Sequence, residues 1–275
     1  MLVHLIDGTY ELFRHFYGLR RFTQGDDRPH GAVIGVLNTV LQMLEEGATH
    51  VGVATDHVIE SFRNELWPDY KTAAGVEPAL LAQFEPLEAA LSSMGVTVWP
   101  MIELEADDAL ASAAHIAAGD PRVEKVCIWT PDKDLAQCVR DQRVVQVDRR
   151  TRRIRDEAGV VQTFGVGPRL IPDFLALVGD SADGYPGIAG IGRVTAARLI
   201  GKYGPIESFP PAVLAEERRS LALLFKDLAT LRTDAPLFND VDELAWHGPG
   251  PDFEKTAAQL GQARLLVRAG KVAHR

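Results

Sequence analysis

The stretch Lys125-Val126-Cys127-Ile128-Trp129-Thr130-Pro131-Asp132-Lys133-Asp134 reads as a buried strand that stops abruptly in acid. A short apolar run rich in β-branched and aromatic residues has the composition of a strand. Pro131 holds Thr130 in extended geometry and ends the run, so Asp132 and Asp134 follow directly on a strand end.

The same arrangement recurs on either side of this stretch. Residues 2–6 are closed by Asp7 and residues 51–55 by Asp56. After the strand-like residues 96–99, Glu105, Asp107 and Asp108 open an alanine-rich helix, and Asp180 and Asp183 follow the helix-like residues 170–178. In a parallel α/β sheet the carboxyl ends of the strands lie along one edge, where ligands bind at the topological switch point. So many carboxylates in one crevice would repel one another and raise their own pKa values unless cations neutralised them. A divalent metal is the simplest neutraliser.

Strand-like residues 2–6, 51–55, 96–99, 125–130 and 144–147 alternate with amphipathic residues 32–46, 78–94 and 107–118. That is the βαβ pattern of a mainly parallel sheet flanked by helices. Residues 148–155 read as a hairpin, after which 168–178, 193–203 and 218–232 read as helices and no strand is evident. The expected organisation is an α/β catalytic domain over residues 1–165 and a helical domain over 166–275, parted where glycine and proline cluster near 164–168.

With 46% hydrophobic and 24% charged residues in 275, the chain has the composition of a folded globular protein and can bury a sizeable core. Cys127 and Cys138 lack metal-ligand spacing, which argues against a disulfide framework and against zinc. The amino terminus lacks the basic region of a signal peptide, and no apolar run approaches about 18 residues; the expectation is a cytoplasmic protein with no membrane partner. A net charge of −9 argues against a polyanionic partner, but only weakly, because bound cations and local basic patches decide phosphate contact.

At the helix start Glu105 and Asp108, spaced i and i+3, share a face, with Asp107 turned toward a neighbouring ion. Three acids there exceed what the helix dipole needs, although capping is the common role of a lone acidic first turn. Hard oxygen ligands of this kind suit Mg²⁺ or Mn²⁺ rather than zinc. The second signal is Gly187-Ile188-Ala189-Gly190-Ile191-Gly192, followed by Arg193 and Thr195 on a helix. Glycines so placed permit close backbone approach and leave free N–H groups at a helix N-terminus, a seat for phosphate, though a plain turn between helices has the same composition.

Taken together, the motifs resemble the bacterial 5′-3′ exonuclease and flap endonuclease family, which includes the 5′ nuclease domain of DNA polymerase I. The likeness spans residues 2–233 and is carried by Asp-Gly-Thr at Asp7, Asp56 with Phe62-Arg63, Tyr70-Lys71, Glu-Ala-Asp-Asp from Glu105, Asp-Lys-Asp from Asp132, and the run from Asp173 to Asp183. The resemblance implies a PIN-like catalytic domain followed by a helix-hairpin-helix domain. It implies that Asp7, Asp56, Glu105, Asp107, Asp108, Asp132, Asp134, Asp180 and Asp183 hold two divalent ions. It further implies that Lys71, Arg14 and Arg63 contact the scissile phosphate or steer the 5′ strand. Gly187, Ile188, Gly190, Ile191, Gly192, Arg193 and Thr195 would then grip duplex backbone, with K⁺ on the hairpin carbonyls. The implied activity is hydrolysis of DNA at 5′ flaps, gaps and 5′ ends in replication or repair, by a free-standing nuclease beside a DNA polymerase in trans. The alternatives are a branched-DNA-binding module with weak or no cleavage, and a PIN-like endoribonuclease.

Two features fall outside this pattern, and a third is read from its spacing alone. Residues 72–77 (Thr-Ala-Ala-Gly-Val-Glu) are poor in charge where relatives carry a further basic residue after Lys71. Arg149, Arg150, Arg152, Arg153 and Arg155 form a basic run that is either a nucleic-acid patch or a solvated hairpin. Tyr10, Phe13, Phe16 and Tyr17, at helical spacing near Asp7, are either core or a base-stacking platform.

Overall fold

The computed structural model describes residues 1–23 and 29–274, and the side chains of all of these except 20–23. From the amino terminus, strand β1 (Leu2–Asp7) leads into α1 (Gly8–Thr23) and α2 (Gly31–Glu45), and β2 (His50–Asp56) is followed by α3 (Arg63–Leu66), α4 (Pro78–Leu81) and α5 (Phe84–Ser93). Next come β3 (Thr97–Met101), α6 (Ala106–Gly119), β4 (Lys125–Trp129), β5 (Val144–Asp148) and β6 (Arg153–Arg155). The remaining helices are α7 (Glu157–Phe164), α8 (Ile171–Val178), α9 (Arg193–Tyr203), α10 (Glu216–Ala229), α11 (Phe253–Gln259) and α12 (Ala263–Ala273).

The sheet order is β3-β2-β1-β4-β5-β6, with the first five strands parallel and β6 antiparallel to β5. From β1 the chain winds outward to β2 and β3 on one side and to β4 and β5 on the other. The switch point therefore lies between the carboxyl ends of β1 and β4, at Asp7 and Asp132. The central strands are buried on both faces, as their continuous apolar character requires. Ile6, Val51 and Val53 pack against α2 and α5 on one face, while Val3, Leu5, Val126 and Ile128 pack against the alanine-rich α6 on the other.

A third core, built from Phe164, Phe174, Ile188, Ile200, Phe209 and Phe225, holds α8, α9 and α10 together as a helical unit. At its centre Gly179 and Gly187 lie back to back in left-handed backbone, with φ of 86° and 70°. A Cβ on Gly187 would stand 2.3 Å from the Gly179 nitrogen, so no other residue fits there.

Three expectations are corrected. The helical unit does not run to residue 275, because beyond α10 the chain returns to the sheet. Phe238 stacks on Trp99 at 5.9 Å between ring centroids, and Phe253, Leu265 and Ala269 join the core beneath α2. The apolar stripes of α11 and α12 find their cover there. Residues 78–94 are two helices rather than one, parted at Ala82 and Gln83, where the Gln83 amide oxygen accepts from the Ala32 and Val33 N–H groups at 3.1 and 3.4 Å. Helix α7, capped by Asp156 through a 2.9 Å bond to the Gly159 N–H, fills a stretch that carried no expectation. Helix α10 ends at Ala229 rather than 232, because Thr230 turns extended to run beside α6.

Candidate metal centre and nucleic-acid interface

The sheet edge brings most of the expected acids together. Among the described residues, two groups of carboxylates have one oxygen per residue within 4.8 Å of one another: Asp107, Asp132 and Asp134, and Asp134, Asp180 and Asp183. Asp134 belongs to both. It is fixed by the 3-10 turn Asp134–Cys138, whose first N–H donates to Asp132 Oδ1 at 2.8 Å. Asp180 is placed by the hairpin after α8, where it exchanges both backbone hydrogen bonds with Tyr185 at 2.8 and 3.0 Å.

Asp7 and Asp56 stand beside the first group. Asp7 Oδ1 accepts from the Tyr10 N–H at 2.8 Å and Oδ2 from the Thr130 hydroxyl at 2.9 Å, which ties the ends of β1 and β4 together. Asp56 Oδ1 accepts from the Ala106 N–H at 2.7 Å, at the first turn of α6. Thr130 was not singled out in the sequence, although its place at a strand end opposite Asp7 was the available signal.

The electrostatics are those of an uncompensated cluster. Burial, then the charge of Asp56, pushes the Asp7 carboxyl up to about 7 against the pull of the Tyr10 N–H. Burial followed by Asp132 and Asp7 raises Asp107 well above the carboxylate range, and burial followed by Asp132, Asp183 and Asp180 does the same to Asp134. Asp183 rises to about 6, with burial the largest cause and Lys71 opposing. Asp134 Oδ1 is buried without a hydrogen-bond partner. Hard oxygens in close groups, deprived of partners and forced toward protonation, fit divalent cations.

Glu105 has different surroundings. Its carboxylate accepts from the Ser61 hydroxyl at 2.6 Å and lies 2.7 Å from the Lys71 ammonium and 3.3 Å from Arg63. Burial favours its neutral form, but Lys71 and Arg63 outweigh that and lower its pKa. Burial likewise works against the Lys71 charge, yet Glu105 and Asp183, the latter at 3.5 Å, raise its pKa well above the usual value. Lys71 thus stands charged between the acids of two domains.

The structure overturns two expectations here. Asp108 faces away from the crevice with 0% exposure, and its oxygens take a bidentate pair with Arg63 at 2.7 and 2.8 Å. They also accept from the Glu105 N–H at 3.0 Å and the Arg232 N–H at 2.8 Å. No lone pair is left for an ion. Arg63 is 1% exposed and also donates to the Leu228 and Thr230 carbonyls at 2.8 and 3.3 Å, so it knits α10 to α6 instead of reaching a phosphate. Arg14 is partly exposed and pairs with the buried Glu11 on α1.

On the helical side, Gly190, Gly192 and Arg193 are exposed around the start of α9, and Val194 is 85% exposed. Ile188 is buried and holds the hairpin through its N–H to the Leu177 carbonyl at 2.9 Å; Ile191 and Thr195 are half-buried. Arg193 folds over the Phe164 and Phe174 rings, 5.6 and 5.2 Å from their centroids. The Ala189 carbonyl accepts from Arg218. Phe16 is core and Phe13 packs on Phe84, whereas Tyr17 is exposed. In the basic run, Arg149 donates to Gln42, Arg152 pairs with Glu46 and Arg155 donates to Gln146, while Arg150 and Arg153 are exposed.

Two family models match the chain: the N-terminal resolvase-like domain of 5′-3′ exonucleases over residues 2–165, and their C-terminal SAM fold over 166–252. DNA polymerase I of Pseudomonas aeruginosa is 36% identical over 260 residues, covering 87% of this chain and 28% of that protein. The chain therefore spans only about 28% of that relative's length. A 5′-3′ exonuclease of Buchnera aphidicola is 32% identical over 248 residues, covering 84% of this chain and 81% of the relative. Among solved structures, the flap endonuclease of bacteriophage T5, in a complex with DNA and metal ions, superposes with a TM-score of 0.64 at 18% identity, each chain covered in full. At that identity the likeness is one of fold. Among the described residues no helix is long and apolar enough to cross a membrane.

Proposed function

Because this chain belongs to the 5′-3′ exonuclease family, we propose that it hydrolyses DNA phosphodiesters at 5′ flaps, gaps and 5′ ends, using two divalent ions, Mg²⁺ or Mn²⁺. The observation that carries the reading is the pair of carboxylate groups sharing Asp134, with one of its oxygens unpartnered. In this reading Asp107, Asp132 and Asp134 hold one ion and Asp134, Asp180 and Asp183 the other, with Asp7 and Asp56 at the flank of the first. Bound there, divalent ions supply Lewis acidity that readies a water for attack and offsets charge on the departing oxygen.

The protein's own groups do the rest. Lys71, positioned by Glu105 and Asp183, offers its ammonium to the scissile phosphate, where charge aimed at a developing anion is a strong catalytic term. Arg14, one to two helical turns beyond Asp7, steers the 5′ strand. The exposed Gly190, Gly192, Arg193 and Val194 meet duplex backbone at the start of α9, with Gly187 and Ile188 shaping the hairpin and Ile191 and Thr195 beside it. A K⁺ ion on the hairpin carbonyls would displace Arg218 from Ala189. A DNA polymerase in trans, within the cytoplasm, is the partner this reading assigns, and replication or repair its setting.

The test is a 5′-flap duplex, a matching RNA and a blunt duplex, each incubated with Mg²⁺, Mn²⁺ or chelator. Metal-dependent cutting of the flap is expected, and Asp132→Ala abolishes it while leaving flap binding largely intact. Tight flap binding without cleavage points instead to a DNA-binding module, a reading the charge-poor residues 72–77 favour. Preferential cutting of RNA points to an endoribonuclease.

A further inference from the structure

Four buried side-chain atoms among the described residues lack a hydrogen-bond partner, and three of them are Asp134 Oδ1, Asp180 Oδ2 and the Tyr185 hydroxyl; Asp134 and Asp180 belong to one group of carboxylates, and Tyr185 is bridged to Asp180 through the backbone. Asp180 Oδ2 has the Lys133 ammonium beside it. Asp134 Oδ1 and Tyr185 have nothing, and an unpaired hydroxyl in a site 1% exposed is costly to keep.

The Tyr185 ring is held firmly. It lies on Phe225 with 5.4 Å between centroids, its backbone is bridged to Asp180 in both directions, and the preceding Gly184 carbonyl accepts from Trp67 Nε1 at 3.1 Å. The phenol hydroxyl carries one proton to donate, and the carboxylates of Asp134, Asp183 and Asp180 are the charges that face it. A cavity of about 550 Å³, lined by Trp67, Asp180 and Tyr185 among others, opens beside it.

We propose that Tyr185 is a positioning residue whose hydroxyl donates to Asp134 Oδ1 in the cation-loaded protein and so orients the one carboxylate common to both groups. The inference rests on the metal reading given above. Partners of this kind, which fix a ligand without touching the ion, are worth about tenfold or more in metal affinity.

The experiment is a Mn²⁺ titration of wild type and Tyr185→Phe followed by electron paramagnetic resonance, with the melting temperature of each metal-free protein measured in parallel. The Phe variant keeps the ring and its packing. Its Mn²⁺ affinity should fall about tenfold, while its metal-free melting temperature stays level or rises, since an unpaired hydroxyl has been removed. Tyr185→Leu, which also removes the ring, should lower the metal-free melting temperature. Affinities of the Phe variant within twofold of wild type overturn the proposal, as does a metal-free melting temperature that falls like that of the Leu variant. If wild type itself binds no Mn²⁺, the metal reading falls and takes this inference with it.

Discussion

Asp107 and Asp108 are neighbours in the first turn of one helix, yet they belong to opposite kinds of site. Asp108 is locked to Arg63 and two backbone N–H groups at the seam between α6 and the end of α10, where every charge has its counter-charge. Asp107 enters a crevice where its neighbours are Asp132, Asp134 and Asp7 and its pKa is forced upward. One acid stabilises the fold and the other is kept at the fold's expense. A buried charge that meets its partner within the chain is structural, and one that does not awaits a ligand.

This contrast can be broken most forcefully at the seam. Asp108→Ala takes the bidentate partner from the buried Arg63 guanidinium and leaves it only Glu105 at 3.3 Å, and should cost about 3–5 kcal/mol of stability, read as a lower midpoint in urea unfolding. An unchanged midpoint would return Asp108 to the crevice. Asp134→Asn should do the reverse. It should lower flap cleavage by about two to three orders of magnitude and yet raise the melting temperature of the metal-free protein, because one repelling charge is gone. A lowered metal-free melting temperature would mean that Asp134 is satisfied within the fold.

The pH dependence sharpens the same distinction. Asp7 and Asp183 are pushed up to about 7 and about 6 from an ordinary 3.8, so the folded state holds their protons more tightly than the unfolded state does. Their ionisation therefore costs stability, a cost absent below about pH 4 and complete above about pH 7. Mg²⁺ removes it. The rise in melting temperature on adding Mg²⁺ should be larger at pH 8 than at pH 5, as calorimetry at the two pH values can show. The smallest effect belongs to the exposed arginines. Arg150→Ala with Arg153→Ala should reduce the slope of log affinity against log salt by about 1–2, and an unchanged slope would make the basic run a solvated hairpin.

Much of the crevice was legible in the sequence because strand ends are local signals. Apolar runs closed by Asp7, Asp56 and Asp132 fix both the strand and the edge on which the acid lies. The hairpin at Gly187 was legible for a similar reason, since only glycine tolerates its close approach to Gly179. The split between Asp107 and Asp108 was not, because the partner that decides it, Arg63, lies 45 residues from Asp108 in the chain. Arg63 itself carries a charge that composition assigns to the surface, and its burial depends on carbonyls at Leu228 and Thr230. The docking of α11 on α5 and of α12 on α2 escaped notice because their apolar stripes show that they are covered without showing by what.

The central claim is that two groups of carboxylates sharing Asp134 form a two-ion centre, and counting Mn²⁺ ions per chain by calorimetric titration, in wild type and Asp134→Ala, tests it most directly. Two ions in wild type, with both sites weakened together in the variant, is the result expected. A single ion whose affinity is indifferent to Asp134 would contradict the account.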